Sequence, residues 1–563
     1  MIIYTAISYF FCKFERTENL FKEDYIMKRR IIQLSFALFA IGLPNILTAQ
    51  SVDKKIVNWY NGKQGMQTEA AYKLVKKRTP QTVVVAIIDS GMDVEHEDFA
   101  GKIWVNSKEI PGNGIDDDGN GFIDDINGWN FLGNSKGENQ NYARLEMTRI
   151  LADLAPKYEN INEETDKIED AKEYALYKEV RDAIAEQRAQ YEPYLEQMGQ
   201  VRMIIKQVPT MVGATLGKTD YTVKDLNKWK PKDPQGMQMK QLALAIATGQ
   251  LNEDVINEQE NQIRQMLDYN LNVNYDDRQY VGDNVNDIKD NKYGNNDVKG
   301  PDALHGTHVG GIVGAVRGNK LGGDGVAEHV KLMSLRAVPN GDEFDKDIAL
   351  AIRYAVDNGA SVINMSFGKS YSPLAKEVFE ALKYADEKGV LLVHAAGNDA
   401  KDIDTEPNFP TYKYEWQNGK KLDHYLTIGA STRYHSNKKE KVNGLAADFS
   451  NFGQVGVDVF APGNEIYNTV PGNKYKSLQG TSMAAPMVSG AAAFIKSYFP
   501  SLTMKEIKDI LLKSATSFKG TQQEMPGTGE AVDFGKLSVT GGTINLVEAV
   551  KLATAMEKLK AGN

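Results

Sequence analysis

Cysteine is almost missing from this sequence, since the 563 residues include only Cys12. Cys12 lies within residues 1–26, which we interpret below as an upstream extension, so we expect the mature chain to contain no thiol. A chain without cysteine cannot form disulfides, even outside the cytoplasm. It also cannot use a cysteine nucleophile, so a thiol-based mechanism is excluded.

Positive charge is not in excess either. The formal net charge is −9 and the sequence pI is near 5.5, and the acidic residues are spread along the chain. Because nucleic-acid binding depends on a basic surface, we exclude a nucleic-acid partner. Beyond the first fifty residues there is no long apolar run, so no membrane span is predicted. The composition is that of an ordinary globular protein.

The first fifty residues have the pattern of a targeting signal. Residues 27–30 carry positive charge, residues 31–43 form a short apolar core, and residues 47–50 offer small side chains for cleavage. This order predicts a secretory signal peptide at 27–50 and an exported protein, in the periplasm, at the cell surface or outside the cell. We interpret residues 1–26 as a mis-start extension upstream of the signal; a genuine extension is the alternative.

Strands and helices alternate in most of the remaining sequence. The apolar run 82–88 ends at Asp89, which predicts a strand buried on both faces. After residue 304, helical patterns at 307–316, 347–358 and 373–388 alternate with strand patterns at 330–338, 361–367 and 389–396. Such βαβ units predict an α/β fold with a mostly parallel sheet, covered by helices on both faces. Ligands of these sheets bind beyond the carboxyl ends of the strands, where Asp89 and Asn398 both lie.

Residues 134–274 form a block of different composition, rich in Glu, Lys, Gln, Arg and Ala. Apolar side chains recur at helical spacing between Tyr177 and Ile205, and a weaker helical pattern covers 236–267. We predict an inserted α-helical subdomain, which divides the α/β domain into 51–133 and 275–555 and leaves 556–563 as a tail. The insertion is either a packing accessory without chemistry or a lid or partner-docking surface.

The stretch GTSMAAPMVSG sets Ser482 among small residues. A serine becomes a nucleophile only when a base removes its proton and a third group orients that base. Among seven histidines, His305 has the most unusual setting, since it stands in the glycine-rich LHGTHVGGIVGA. Asp89, at a buried strand end, suits the orienting role. Taken singly, each residue is also consistent with a helix cap, a structural histidine or a turn aspartate.

Three blocks together carry a family resemblance. The segments 88–91, 305–309 and 480–486, in the order Asp, His, Ser, resemble the signature blocks of the subtilisin-like serine peptidases, the subtilases. The resemblance covers about 58–133 and 275–555, and it implies the subtilisin-like three-layer sandwich. It also implies that Ser482 is the nucleophile, His305 the general base and Asp89 its orienter.

The same resemblance implies a substrate site. Asn398, with the Ser482 backbone N–H, would bind the developing oxyanion, and Gly397 would lie beside it. Ser366, Phe367 and Gly368 match the edge that pairs with an extended substrate and helps to form the primary specificity pocket. The expected substrate is a protein or a peptide.

A separate motif lies in GIDDDGNGFIDDINGWNF. Asp116, Asp118, Asn120 and Asp124 fall at positions 1, 3, 5 and 9 of a calcium loop, with a glycine at position 6. Position 12 is Asn127 in place of the usual glutamate, so we predict a structural Ca²⁺ loop and not a calcium sensor. A plain turn without metal is the alternative, because Asp, Asn and Gly also dominate turns.

The chain departs from the family pattern in two places. The block between Asp89 and His305 is longer than in most subtilases, and the interval between the signal and Asp89 is short for a prodomain. We hypothesise that the insertion takes over part of the prodomain's role.

The predicted function is that of a secreted subtilisin-like serine endopeptidase acting through an acyl-enzyme. The alternatives are a non-catalytic secreted binding or scaffold protein on the same fold, and a hydrolase of small esters. The oligomeric state is left open.

Overall fold

The computed structural model describes residues 56–417, 420–433 and 444–562. The predicted mis-start extension and signal peptide lie outside the described residues, as does Cys12. The chain divides into two compact units: one includes Ala185–Leu267, and the other comprises Ser51–Ile184 and Asp268–Asn563. The predicted boundaries of the insertion, 134 and 274, stay a prediction.

Nine of the strands in the described residues form one sheet in the larger unit. The strands are β1 Val83–Asp89, β2 Gly128–Asn130, β3 Val330–Arg336, β4 Val362–Met365, β5 Leu391–Ala395, β6 Tyr425–Ser431, β7 Val459–Pro462, β8 Ile466–Val470, β9 Lys474–Leu478, β10 Thr516–Ser517, β11 Gln522–Glu524, β12 Ala531–Asp533 and β13 Gly542–Thr543. The order in the sheet is β10-β13-β7-β6-β5-β4-β1-β3-β2, and every neighbouring pair is parallel except β10 with β13. Two antiparallel pairs, β8 with β9 and β11 with β12, lie outside it.

Helices cover both faces of this sheet. The described helices are α1 Thr68–Val75, α2 Glu146–Tyr158, α3 Ala171–Leu216, α4 Val223–Lys228, α5 Pro234–Ala247, α6 Glu253–Gln265, α7 Leu304–Gly314, α8 Asp345–Asp357, α9 Ala375–Glu387, α10 Thr481–Tyr498, α11 Met504–Lys513 and α12 Leu546–Ala561. Short 3₁₀ turns lie at Trp59–Asn61, Glu97–Phe99, Glu415–Gln417 and Phe534–Lys536, and a π turn lies at Met266–Asn270.

Alternate residues of β1 show why the fold has three layers. Val85 and Ile87 belong to one buried core together with side chains of α1, α7, α10, α11 and α12. Ala86 and Ile88 belong to a second core together with side chains of α8 and α9. A strand buried on both faces must be apolar throughout, as the run before Asp89 is. The predicted three-layer α/β fold with a mostly parallel sheet is confirmed.

The smaller unit has a core of its own. Apolar residues of α3, between Met198 and Val212, pack with Leu226 of α4, Ala243 of α5 and Ile256 of α6. Met198, Val201 and Ile205 of the predicted apolar pattern therefore pack in this unit, whereas Tyr177 packs with Tyr158 and Tyr174 in the larger unit. No helix of the described ranges combines the length and apolarity that crossing a membrane requires.

Candidate active site

Asp89 and His305 form a hydrogen-bonded pair. Asp89 is the last residue of β1 and is only 2% exposed. Its Oδ1 accepts a hydrogen bond from His305 Nδ1 at 2.7 Å and another from the Ser90 backbone N–H at 2.8 Å. Among the described residues, Oδ2 is buried without a partner. The carboxylate is therefore fixed by two donors on one oxygen, and His305 is turned so that its Nε2 faces away.

Glycines let α7 approach β1 closely enough for this pair. A Cβ atom at Gly306 would lie 2.1 Å from the Gly91 carbonyl oxygen and 3.1 Å from Asp89 Oδ1. Gly91 itself has a φ of +109°, which side-chain-bearing residues rarely adopt. The glycine that follows His305 is thus a requirement of close packing. α7 begins at Leu304, three residues before the predicted start at 307.

The surroundings of His305 favour its protonated form. Burial alone lowers its pKa, but the charge and the hydrogen bond of Asp89, together with the charge of Asp302, outweigh it and leave the pKa above the usual histidine value. His308, one turn further along α7, is different. Its Nε2 contacts the carbonyl oxygens of Ile466 at 3.0 Å and Lys476 at 3.1 Å, and burial lowers its pKa to about 3. His308 is therefore a neutral, structural residue.

Ser482 lies in the first turn of α10, after Gly480, whose φ is 148°. Its Oγ donates to the Ser366 carbonyl oxygen at 3.2 Å, so its hydrogen bond within the described structure runs to Ser366 and not to His305. Ser366 and Asp89 directly follow Met365 and Ile88, which are register partners of the adjacent strands β4 and β1. The serine is thus tied to the same sheet edge as the Asp89–His305 pair. Hydrogen bonds between catalytic groups often form only when substrate is bound.

A chain of hydrogen bonds supports the backbone at Ser482. Ser366 Oγ donates to the Ser482 carbonyl oxygen at 2.9 Å, and Asn364 Nδ2 donates to Ser366 Oγ at 2.9 Å. Ser489 Oγ, two turns further along α10, donates to Asn364 Oδ1 at 2.8 Å. Sequence analysis missed Asn364 and Ser489. The seven-residue spacing of the two serines on one helix was a signal that could have identified Ser489.

Asn398 lies at the N-terminus of α10. Its Oδ1 accepts hydrogen bonds from the Thr481 backbone N–H at 2.8 Å and from Thr481 Oγ1 at 3.0 Å. Gly397 has a φ of +104°, and a Cβ atom there would lie 2.3 Å from Asn451 Nδ2. Because Asn398 Oδ1 accepts both hydrogen bonds from Thr481, the Nδ2 atom of the same amide is the one that can donate to another group. The Ser482 N–H, at a helix N-terminus, is a second donor in the same turn.

The predicted substrate edge follows β4. Ser366 contacts Ser482 as described, and Phe367 is 8% exposed. The Phe367 carbonyl oxygen accepts a hydrogen bond from His394 Nε2 at 2.8 Å, and burial lowers the pKa of His394 to about 4, so this histidine is a neutral donor. A Cβ atom at Gly368 would lie 2.6 Å from the Asn408 side chain. His394 of β5 and Asn408, which follows β5, therefore fix the position of this edge.

Three carboxylates form the acidic cluster of the predicted calcium loop. One carboxylate oxygen of each of Glu109, Asp116 and Asp118 lies within 4.8 Å of the others. Glu109 is buried, and its Oε1 accepts from the Asp118 N–H at 3.0 Å. Hard oxygen donors at this separation fit Ca²⁺. Glu109 was missed in the sequence because it stands outside the loop pattern.

The other two predicted ligands are turned elsewhere. Asp124 accepts from the backbone N–H of Gly112 at 2.7 Å and of Gly114 at 2.9 Å. Asn120 Nδ2 donates to Asp125 Oδ2 at 2.9 Å. The structure thus brings Asp116 and Asp118 together with Glu109, and uses Asn120 and Asp124 to fold the loop.

Comparison with known proteins identifies the family of this chain. The model of the subtilase family matches residues 81–532, a range that includes Asp89, His305 and Ser482. The chain belongs to the subtilase family. The predicted family membership is confirmed.

Serine proteases are among the relatives of this subtilase. It is 35% identical over 253 residues to the "Thermophilic serine proteinase" of Bacillus sp. (strain AK1), a match that covers 45% of this chain and 54% of the relative. It is 36% identical over 218 residues to "Thermitase" of Thermoactinomyces vulgaris, covering 38% of this chain and 69% of the relative. The matched part thus spans about half the length of the Bacillus protein.

A solved structure described as "Structural basis of subtilase cytotoxin SubAB assembly" is also similar, with a TM-score of 0.37 and 24% identity over 46% of this chain and 78% of that chain. At this level of similarity it adds no argument.

The parts of this subtilase site have complementary chemical abilities. A buried carboxylate beside an imidazole holds one tautomer and stabilises the protonated ring. A serine at a helix N-terminus lies next to backbone and amide donors, which stabilise negative oxygen. Proton transfer, nucleophilic attack and oxyanion binding are therefore available at one edge of the sheet.

Proposed function

We propose that this chain is an exported serine endopeptidase that cleaves peptide bonds through an acyl-enzyme. Ser482 Oγ attacks the peptide carbonyl carbon while His305 Nε2 takes its proton. Asp89 stabilises the imidazolium that forms, and His305 then gives the proton to the leaving amine. Water then takes the place of the amine: it attacks the ester carbonyl carbon while His305 Nε2 takes its proton, and His305 returns a proton to Ser482 Oγ as the carboxylic acid product leaves. The observation that carries the proposal is the 2.7 Å pair of Asp89 and His305, at the edge where Ser366 binds Ser482.

Two donors serve the oxyanion in this proposal. Asn398 Nδ2 and the Ser482 N–H bind the oxygen of the tetrahedral intermediate, and Thr481 orients Asn398 for this task. The substrate lies along Ser366, Phe367 and Gly368 as an extended strand, and the substrate residue whose carbonyl acylates Ser482 has its side chain beside Phe367. Family membership supports a protein or peptide as substrate.

Calcium has a structural role in this proposal. Glu109, Asp116 and Asp118 would hold one Ca²⁺ ion through carboxylate oxygens. The ion's two positive charges would offset two of the three neighbouring negative charges, and the ion would join the loop to the buried Glu109. It would take no part in the chemistry at Ser482.

The proposal is tested with a fluorophosphonate probe, which labels an activated serine. Protein from residue 51 onward is treated in calcium and in chelator, beside the Ser482→Ala variant. We expect labelling that is absent in Ser482→Ala, and internal cleavage of a peptide blocked at both ends. Folded protein that is neither labelled nor active in calcium would contradict the proposal. It would favour the non-catalytic scaffold, which the bond from Ser482 Oγ to Ser366 also permits.

Export is a second part of the proposal. The pattern in residues 27–50 supports a signal peptide, so the exported chain should begin near residue 51. Expression with the native N-terminus, followed by N-terminal sequencing of the exported product, checks this. A product that retains residues 1–26 would refute both the mis-start and the cleavage site.

A further inference from the structure

Lys369, just beyond the proposed substrate edge, has a buried amine. Its side chain is 1% exposed. The amine donates to Glu146 Oε2 at 2.6 Å and to the Glu343 carbonyl oxygen at 2.8 Å, and it lies 2.9 Å from Asp345 Oδ1. Lysine is almost never fully buried unless it is paired. These three partners therefore hold Lys369 in one place.

The partners come from two other parts of the fold. Glu343 and Asp345 lie between β3 and the first turn of α8, and Glu146 is the first residue of α2. β3 and β4 flank β1 on its two sides, so the segments that follow them face each other across the end of β1. Lys369 Nζ bonded to the Glu343 carbonyl oxygen joins these two segments directly.

Arg149 of α2 strengthens this junction. Its Nη1 donates to the Asp342 carbonyl oxygen at 3.1 Å, and its Nη2 donates to the Glu343 carbonyl oxygen at 3.1 Å and to Glu146 Oε2 at 2.6 Å. The Glu343 carbonyl oxygen thus accepts from both cations. Its position cannot shift without breaking several charge-assisted hydrogen bonds, which are the stronger kind. We call Glu146, Arg149, Glu343, Asp345 and Lys369 the cross-link.

The space beside the cross-link is nearly filled. Phe367 and Lys369, together with Glu343, Asp345 and Pro410, line a narrow crevice that has no room for a water molecule. The Lys369 backbone pairs with Phe409 in both directions, at 3.2 and 2.9 Å. The backbone is therefore paired from Lys369 onward, and Gly368 is the last residue of the edge before that pairing.

We propose that the cross-link closes the substrate groove at Lys369, which makes Lys369 the residue that limits how much of the peptide is recognised on the acyl side of the cleaved bond. The proposal rests on the proposed function, in which Ser366–Gly368 pairs with an extended substrate. A strand advances by about 3.3 Å per residue, so this edge contacts about three substrate residues. Peptide residues further from the cleaved bond meet the cross-link and add nothing to binding.

Binding and turnover are measured with peptides of increasing length. Acetylated peptides of one to six residues, all ending in the same leucine, are titrated into Ser482→Ala, and matching leucine amides serve as substrates for the full active protein. We expect Kd and kcat/KM to improve up to about three residues and then to change by no more than about twofold. An improvement of about tenfold or more between three and six residues would overturn the proposal, and so would a failure to bind any of the peptides.

Lys369→Ala removes the cross-link side chain. In this variant Glu146 keeps Arg149, and Asp345 keeps the Ser372 hydroxyl at 3.0 Å and the Leu374 N–H at 2.8 Å. We expect the six-residue peptide to gain at least about fivefold over the three-residue peptide, relative to the parent protein. An unchanged ratio in a folded variant would overturn the proposal.

Lys346→Ala is the matched control. Lys346 is also fully buried, and its amine contacts Asp283 at 2.6 Å and the Asn284 carbonyl oxygen at 2.8 Å. Loss of a buried lysine by itself should leave the length ratio unchanged. Ser482→Ala can show the length limit while the protein that retains Ser482 neither hydrolyses the peptides nor reacts with the fluorophosphonate probe. That result would support the closed groove and refute the proposed activity. If Lys369→Ala does not fold, the length profile of the parent protein still decides.

Discussion

Replacing Asp89 by Asn tests whether the buried carboxylate acts through its charge. Asp89 Oδ1 accepts from both Ser90 N–H and His305 Nδ1. Two donors require an oxygen at that position, so the variant should place its amide oxygen there and its NH₂ group where Oδ2 was. The hydrogen bond to His305 is then kept, and only the negative charge is lost.

The size of the effect follows from this geometry. With a contact of 2.7 Å between Oδ1 and Nδ1, the centres of charge of the carboxylate and the imidazolium lie about 4 Å apart, where unit charges interact by about 4 kcal/mol at an effective dielectric constant of about 20. Because about 1.4 kcal/mol corresponds to a factor of ten, the rate should fall by about 10³. A wrong histidine tautomer would increase the loss to about 10⁴.

The measurement is the second-order rate constant of fluorophosphonate labelling, with circular dichroism melting as the check on folding. Asp386→Asn is the matched control, since Asp386 Oδ1 also contacts a histidine, His424 Nδ1, at 2.9 Å. The control should be labelled within about twofold of the parent protein, because a histidine outside the triad takes no part in proton transfer. A folded Asp89→Asn variant whose labelling rate falls by less than about tenfold would contradict this prediction, because the charge of Asp89 would then contribute under about 1.4 kcal/mol.

Three further predictions concern the same molecule. Asn398→Ala should lower kcat by about 10² to 10³ at nearly constant KM, and steady-state kinetics that put the loss into KM would speak against an oxyanion role. Because His305 must be neutral to act as a base and its pKa is raised, the acid limb of the kcat/KM profile should lie above about 6.5, the ordinary histidine value. Asp302→Asn removes a negative charge that favours the imidazolium, so the limb should move to lower pH, and an unmoved limb would count against this assignment. Calcium at about 100 times its Kd should add about 2.7 kcal/mol to the free energy of unfolding. Thermal melting should therefore show a higher Tm in calcium than in chelator, with no difference in Asp116→Asn or Glu109→Gln; a difference that persists would place the ion elsewhere.

Much of the fold could be predicted because burial leaves a local trace in the sequence. The apolar run before Asp89 is long enough for a strand buried on both faces, and β1 is such a strand. The helix–strand alternation after residue 304 likewise predicted α8, β4, α9 and β5 to within a few residues. The start of α7 was less predictable, because glycines weaken a helical pattern while the packing against β1 requires them.

The remaining features depend on contacts between distant residues. Glu109 lies close to Asp116 and Asp118 because of the path that the loop between them takes, and a loop has no periodic sequence pattern. Asn364 and Ser489 meet because β4 lies beneath α10, so neither residue has a recognisable sequence context of its own. The cross-link joins residues of α2, the loop after β3 and the segment after β4. Only the folded chain shows that Lys369 is buried.

The strand order has a consequence for synthesis of the chain. β1 pairs with β3, Val83 opposite Val330, and with β4, Val85 opposite Val362. A ribosome adds about 5 to 20 residues per second. The segment VVVAII is therefore synthesised roughly 10 to 50 seconds before β3, the first of its two neighbouring strands to be made. An apolar, β-branched, uncharged segment of this length is the type most prone to intermolecular association. The segment Ala185–Leu267 is synthesised in full during that interval, and its helices depend on contacts close in sequence, so this unit can fold before β1 can pair with β3.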